Sequence, residues 1–431
     1  MKLRMILCAL GAVAIAAGGC GKRTDENKKG GGAGEGGGAP AGDTITGGPG
    51  VDLDKKVLYI GALNDESGPA LQIGKPFAAG KRLLARVVNA GGSGILPEGW
   101  KIELVERDHG YNPTKSVQEY KAIKDKVLFI GTSFGTVNTL PLQKQLERDG
   151  LIAYPASLSS EMAAHAHTPP LAPSYKVEAM RAMDWAVEHA GGADKIKAGI
   201  VYQKDDYGND GIAGWKEAAE HHKVSIVAEH AIKPGEKDVA AVIKGLQEKG
   251  ANYVLLTILP SSTGPVLGTA AATKYAPVWI GNTPAWIDAF FSEQVQASLP
   301  PAVFGKFYWV TGLSYWGEDV PALASFRATW DKHGKDLGPP DFYILASYAQ
   351  GLTQVEAFRI ALENKDVSRA GYLKAVQSLK EFTAGGMFQP IDLTKVPYVT
   401  STQTRVLQPD FAGKTWKEVA GYAAPQAMAA K

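Results

Sequence analysis

From Val57 onward the chain alternates two hydrophobic patterns: short unbroken apolar runs, and longer stretches with apolar residues at every third or fourth position. The first reads as buried strands and the second as amphipathic helices. A strand predicted over Val57–Leu63 leads through Asn64-Asp65-Glu66-Ser67-Gly68-Pro69 into a helix over about Gly74–Asn89. There Ala78, Leu83, Leu84, Val87 and Val88 keep helical spacing, and Asn89-Ala90-Gly91-Gly92 stops it. A second strand, Lys101–Glu106, ends in Arg107-Asp108, and a helix over Thr114–Lys124 follows Asn112-Pro113. The stretch Val127–Ser160 then reads as a strand (Val127–Ile130), a small polar turn (Gly131 to Thr139), a helix (Leu140–Arg148), a strand (Gly150–Pro155) and a second polar turn (Ala156 to Ser160).

A second series begins near Tyr175. It predicts helices over Lys176–Ala190, Gly211–His221, Asp238–Lys249 and near Val266–Thr273, interleaved with strands over Ala198–Tyr202, Ser225–His230, Tyr253–Leu259 and Val278–Ile280. Beyond Phe304 come a strand (Gly305–Thr311), helices over Pro321–His333, Phe342–Glu363 and Val367–Leu379, and a strand and turn within Thr404–Lys417. Strand and helix alternating at this spacing define an α/β protein with parallel, doubly wound sheets. Elements left over after two complete series mean that the chain crosses between lobes more than once.

Ligands of open α/β sheets bind at the carboxyl ends of the strands. That edge carries Ser133, Thr136 and Ser157, whose hydroxyls suit a carboxylate or another hydrogen-bond acceptor; the alternative is that they only cap helices. Tyr207, just before Gly208 at a strand end, reads as facing the cleft. Trp286 and Tyr315 also follow strands, and each divides evenly between a pocket and a core role. Asp205-Asp206 reads as a solvated turn, and His221-His222 as a helix end where imidazolium favours the dipole. Trp185, Trp215 and Trp330 read as packing residues on helices. His165 and His167 lack the further ligands that a metal site needs.

The 431 residues, 45% of them hydrophobic, are ample for two domains. At the N-terminus, Lys2 and Arg4 precede the apolar run Met5–Ala17, too short to span a bilayer. It leads into Ala17-Gly18-Gly19-Cys20, which predicts an export signal over residues 1–19. Small residues directly before Cys20 resemble the lipobox of bacterial lipoproteins, with Ala17 where leucine is usual; cleavage without lipidation is the alternative. Removing residues 1–19 takes Lys2, Arg4 and Cys8, leaving 44 basic against 44 acidic residues and one cysteine. That excludes an internal disulfide and disfavours nucleic acid, which calls for a basic surface. Residues 21–50 are Gly-rich, cannot bury a core and read as a flexible tether, part of a linker over 20–55. The Gly-rich run has no preceding strand or closing Gly-Lys-Ser/Thr, so it is no phosphate loop. Enzyme signatures are missing too: no Gly-x-Ser-x-Gly elbow, no His-Glu-x-x-His, and no Gly-x-Gly-x-x-Gly after the first strand. No cofactor or metal is expected.

Six stretches in order carry a likeness: Ile60-Gly61 with Ser67-Gly68-Pro69; Val88-Asn89-Ala90-Gly91-Gly92 before Lys101–Glu106; Arg107-Asp108 with Asn112-Pro113; Phe129-Ile130-Gly131 with Ser133; Tyr202 with Asp206-Tyr207-Gly208; and Lys233-Pro234-Gly235-Glu236-Lys237-Asp238. Over about Lys56 to Lys417 the chain resembles the type I periplasmic binding proteins of the leucine/isoleucine/valine-binding family, which serve ABC transporters. The resemblance implies two Rossmann-like lobes (56–174 plus 312–400, and 175–311 plus 401–420) joined by a three-crossing hinge and closing on a small-molecule ligand. It implies that Ser133, Phe134, Gly135, Ala156, Ser157 and Leu158 hold the ligand from one lobe. Tyr207, Leu259, Asn282, Thr283 and Trp286 would face it from the other.

Three positions depart from the amino-acid binders. Leu158 replaces a threonine, Leu259 replaces a pocket tyrosine, and Thr283 stands where an acid pairs with the ligand's ammonium. A buried ammonium without that partner would cost on the order of several kcal/mol. The expected ligand is therefore a carboxylate or amide rather than a standard α-amino acid. The family's disulfide is also missing, its first position falling in the Asp108–Tyr111 region. The expected partners are ABC-transporter permease subunits and, through lipid on Cys20, a bacterial membrane; the chain would act as a monomer without nucleic acid. A sensory receptor domain of the same fold and a branched-chain amino-acid binder are the alternatives.

Overall fold

Fourteen strands, numbered in chain order, build the sheets of the computed structural model, which describes Thr44–Ala429. The expected export signal, Cys20 and the first part of the Gly-rich stretch lie outside the described residues. The first sheet contains β1 (Val51–Asp52), β2 (Val57–Asn64), β3 (Lys101–Asp108), β4 (Phe129–Phe134) and β5 (Ala153–Ala156). In it β3, β2, β4 and β5 run parallel, and β1 pairs antiparallel with the start of β2. The second sheet contains β6 (Lys197–Gln203), β7 (Ser225–Ile232), β8 (Tyr253–Thr257), β9 (Val278–Gly281) and β10 (Phe307–Thr311), all parallel in the order β7-β6-β8-β9-β10. The chain then forms a short antiparallel pair, β11 (Ile391–Asp392) with β12 (Val399–Thr400). It ends by adding β13 (Thr404–Asp410) and β14 (Thr415–Ala423) antiparallel to the edge of the second sheet.

The chain thus forms two lobes, one per sheet, and passes between them three times: after β5, after β10 and before β13. Strands buried on both faces, such as β4, β8 and β9, are the unbroken apolar runs of the sequence. Helix starts follow local capping chemistry. Asn112 accepts from the Lys115 amide at 3.0 Å with Pro113 in the first turn, and Ser174 caps the helix Tyr175–Ala190.

The helix Phe342–Glu363 is apolar on nearly every side and correspondingly buried. It packs along the helix Leu71–Asn89 in the first lobe. Gln354 Nε2 donates to the Gly131 carbonyl at 2.7 Å and Gln350 Nε2 to the Pro155 carbonyl at 2.8 Å. This helix therefore ties down β4 and β5, the two strands that end at the cleft.

Several expectations need correction. The linker does not run to residue 55. Thr46 hydrogen-bonds to Lys365 and Val367, Gly50 accepts from the Tyr59 amide at 2.9 Å, and β1 joins the first sheet. Backbone pairing with a buried strand outweighs the poor core-forming composition there. The helix expected from Gly211 begins at Asp206, because Asp205 caps it by accepting from the Gly208 amide at 3.2 Å. The helix expected near Val266–Thr273 begins at Pro260, because proline is permitted at the first position of a helix.

Candidate ligand-binding site

Between the lobes, at the carboxyl ends of β4, β5, β6 and β8, lies a narrow cavity. The first lobe lines it with Ile73, Phe77, Tyr111, Phe134 to Thr136, Pro155 to Leu158, Phe342, Tyr343 and Ala346. Tyr207, Leu259, Thr283 and Pro284 face it from the second lobe, and Leu171, Tyr175 and Leu313 from the crossing segments. Seven of these residues are aromatic (Phe77, Tyr111, Phe134, Tyr175, Tyr207, Phe342, Tyr343), and none is an acid, a histidine, a lysine or an arginine. The rings meet edge to face: Tyr175 and Tyr207 at 4.7 Å between centroids, Phe342 and Tyr343 at 4.8 Å, Phe77 and Phe134 at 6.3 Å.

Polar groups on the wall are few and mutually engaged. Thr136 Oγ1 and Ser157 Oγ share a hydrogen bond of 2.7 Å, and Ser157 Oγ also accepts from the Ser159 amide at 3.2 Å. Tyr207 donates its hydroxyl to Asn282 Oδ1 at 2.7 Å, and the Tyr343 hydroxyl lies 2.9 Å from the Thr283 carbonyl and 3.0 Å from that of Trp286. Burial pushes the Tyr175, Tyr207 and Tyr343 phenols up, which keeps them protonated donors at neutral pH.

Beneath Thr283 lies a buried carboxyl that sequence reasoning missed. Glu178, on the helix Tyr175–Ala190, is fully buried. It accepts from the Thr283 amide at 2.9 Å and from the Thr283 hydroxyl at 2.5 Å. Burial pushes its carboxyl up to about 8, against the lowering effect of those two bonds. Both oxygens are committed to Thr283, and Glu178 is not part of the cavity wall.

Of the eleven residues expected to face the ligand, eight line this cavity: Phe134, Gly135, Ala156, Ser157, Leu158, Tyr207, Leu259 and Thr283. Ser133, Asn282 and Trp286 do not. Ser133 turns its hydroxyl back to Thr139 Oγ1 at 2.8 Å, since β4 runs on through Phe134 and places Ser133 inside the strand. Asn282 sits behind Tyr207 and donates to Thr257 Oγ1 at 3.1 Å. Trp286 packs in an aromatic cluster with Phe290, Phe291 and Trp416, at 5.1, 4.9 and 4.5 Å between centroids. Tyr315 is likewise away from the cavity, with the Arg405 guanidinium 5.1 Å over its ring. His222 pairs with Asp184 at 2.6 Å, and no metal-binding group forms among the described residues.

Tyr111, Tyr175, Phe342 and Tyr343 were not singled out from the sequence. Their signal lies in position: Tyr175 opens the helix after the first crossing and Phe342-Tyr343 the second helix after the next, directly after the caps Ser174 and Asp341.

Other contacts join the lobes around the cavity. The Tyr111 hydroxyl lies 3.3 Å from Asp205 Oδ2, Ser261 Oγ donates to the Pro69 carbonyl at 3.1 Å, and the Phe342 amide donates to Asp288 Oδ2 at 2.7 Å.

Two parallel-sheet lobes facing each other across an enclosed cleft define the type I periplasmic binding protein architecture. The family model described as "Periplasmic binding protein" matches residues 57–414, and the chain belongs to this family of extracytoplasmic binding proteins, which are not enzymes. A protein of Pseudomonas aeruginosa described as "Amino acid binding protein" is 23% identical over 329 residues, 74% of this chain and 82% of the relative. Among solved structures, a fatty acid ABC transporter substrate-binding protein from Thermomonospora curvata superposes with a TM-score of 0.80 at 24% identity, covering 90% of this chain and 97% of its own. A branched-chain amino acid ABC transporter protein from Thermus thermophilus with bound valine gives 0.72 at 19%, covering 86% and 97%. A solute-binding protein from R. palustris in complex with 4-hydroxybenzoate gives 0.70 at 16%, covering 86% and 98%. At these identities the likeness establishes the fold.

Proposed function

We propose that the chain is the solute-binding lipoprotein of an ABC transporter, anchored through Cys20, that captures a small organic carboxylate or amide and presents it to permease subunits. The observation that carries the ligand class is a cavity wall with seven aromatic rings and no ionised side chain. Such a wall favours an apolar or aromatic body with a compact polar end near the Thr136–Ser157 hydroxyls. It gives an ammonium no carboxylate partner, because Thr283 stands where one is expected and Glu178 is consumed by Thr283. Proteins of related fold include a fatty acid ABC transporter substrate-binding protein and a solute-binding protein in complex with 4-hydroxybenzoate, both ligands being apolar bodies with a carboxylate end. Binding needs no covalent step; the lobes close because the ligand makes more contacts in the closed form.

A thermal-shift screen against aliphatic and aromatic carboxylates, their amides and the standard amino acids tests this. A ligand at about a hundred times its Kd stabilises the fold by about 2.7 kcal/mol, a clear rise in melting temperature. Stabilisation by carboxylates or amides is the expected result. Stabilisation by branched-chain amino acids alone would overturn the ligand class.

A further inference from the structure

Among non-glycine residues of the cleft, Tyr111 stands apart: its backbone lies in the left-handed region, at φ 60°. A bulky residue there is uncommon and costs energy, so something must hold it. The turn does so with specific bonds. The Tyr111 amide donates to His109 Nδ1 at 3.0 Å, the Asn112 amide to the His109 carbonyl at 3.1 Å, and the Gly110 amide to Asp108 Oδ1 at 3.0 Å. His109 is itself buried, and burial lowers its imidazole to about 4. It is therefore neutral at physiological pH, and Nδ1 keeps the lone pair that the Tyr111 amide needs.

This turn aims the tyrosine across the cleft. Its ring lies against Gly135, where a Cβ would come within 2.9 Å of Tyr111 Cε2, so the bare glycine makes room for it. Its hydroxyl meets the second lobe: Gln203 Nε2 donates to it at 3.1 Å, and it donates in turn to Asp205 Oδ2 at 3.3 Å. Gln203 also donates to Asp205, so the three groups form one closed set. Gln203 ends β6 and Asp205 caps the next helix, so both are fixed by their own lobe.

We infer that Tyr111 is a latch: a positioning residue held in a strained turn of the first lobe, whose hydroxyl joins Gln203 and Asp205 of the second only when the cleft is shut. Among the described residues that line the cavity, it is the one whose side chain hydrogen-bonds to side chains of the opposite lobe. This inference rests on the cleft reading above, but its test needs no ligand.

Small-angle X-ray scattering of the ligand-free purified protein reads the closed-to-open ratio through the radius of gyration. Tyr111→Phe keeps the ring and removes the hydroxyl. The expected result is a shift to a larger radius with an unchanged circular dichroism spectrum, equivalent to about a tenfold fall in the closed-to-open ratio, the worth of one such bond. Gln203→Met should open the cleft as well. The double variant should open it no further than Tyr111→Phe alone, because both changes break one set of bonds. Tyr111→Phe scattering like the wild type, or a double variant that adds the two effects, overturns the latch. A thermal-shift panel with no hits would instead overturn the ligand reading, and would leave the scattering result standing.

Discussion

Thr283 and Glu178 show how one position carries two consequences. With an aspartate at 283, its carboxylate would face the Glu178 carboxyl now 2.5 Å from the Thr283 hydroxyl. We predict that Thr283→Asp destabilises the fold by about 2–4 kcal/mol at pH 8, where Glu178 ionises and like charges meet in a buried site, and less at pH 5, where Glu178 keeps its proton. Urea unfolding at pH 5 and pH 8 reads this; equal stability of variant and wild type at both would sink it. Glu178 itself makes the wild type pH-sensitive. Its carboxyl is raised from 4.5 to about 8 in the fold, so the folded state holds a proton that the unfolded state gives up. The stability it confers is complete below about pH 4.5 and is lost as pH rises through 8. Glu178→Gln has nothing to ionise, and its amide can still accept from the Thr283 amide. We predict that its melting temperature gains on the wild type as pH is raised from 5 to 8; a constant difference would show that Glu178 does not titrate there. None of this was legible in the sequence, because Glu178 lies on a helix that looked merely amphipathic and meets Thr283 only through the tertiary fold.

At the scale of elements the sequence was largely readable. Helical and strand periods placed the long elements and missed short ones such as β1, β11 and β12, since both lobes are built from buried strands and half-buried helices with clear patterns. The cavity edge was legible for the same reason: ligand-facing residues of an open sheet follow strand ends, and eight expected residues do line the cavity. The three that do not, Ser133, Asn282 and Trp286, miss it through boundary and packing. The run of β4 beyond Ile130 to Phe134 and an aromatic cluster around Trp286 leave no trace in local periodicity. The helix Phe342–Glu363 marks the other limit. Its near-uniform apolarity said that it was buried, but not that Gln350 and Gln354 reach the Pro155 and Gly131 carbonyls at the ends of the cleft strands. We predict that Gln350→Leu, which leaves the Pro155 carbonyl unpaired, costs about 1–3 kcal/mol in denaturant unfolding. It should also weaken ligand binding without touching the ligand, since Pro155 and its neighbour Ala156 are wall residues. Unaltered stability would mean that the carbonyl finds another donor.

For the whole molecule, closure brings carboxyls together as well as aromatic rings. Asp288, from the second lobe, accepts from the Phe342 amide at 2.7 Å and from Trp286 Nε1 at 3.2 Å. Asp341, at the start of the first-lobe helix, caps it by accepting from the Tyr343 amide at 2.7 Å. The groups acting on this pair are backbone amides, the Trp286 indole and each other, with no cation among them. Burial pushes Asp288 up to about 6, and burial together with the Asp288 charge holds Asp341 well above the usual carboxylate range. Opening the cleft returns these groups to water and towards ordinary values near 4. The closed form therefore binds more protons than the open form. Linkage fixes the sign: ligand affinity is greatest below about pH 4, falls as pH rises through about 6 as Asp288 ionises, and goes on falling above that while Asp341 keeps its proton only in the closed form, with a slope of at most about one decade per pH unit for each proton. Asp288→Asn keeps an oxygen to accept from the Phe342 amide but cannot titrate, so it should flatten its share of the slope. Calorimetric titration of a hit from the ligand screen, between pH 4.5 and 7.5 in buffers of different ionisation enthalpy, reads both the slope and the proton uptake. Equal slopes for the wild type and Asp288→Asn would show that the pair stays shielded from water when the lobes part, and that the hinge opens on the Tyr111 side alone.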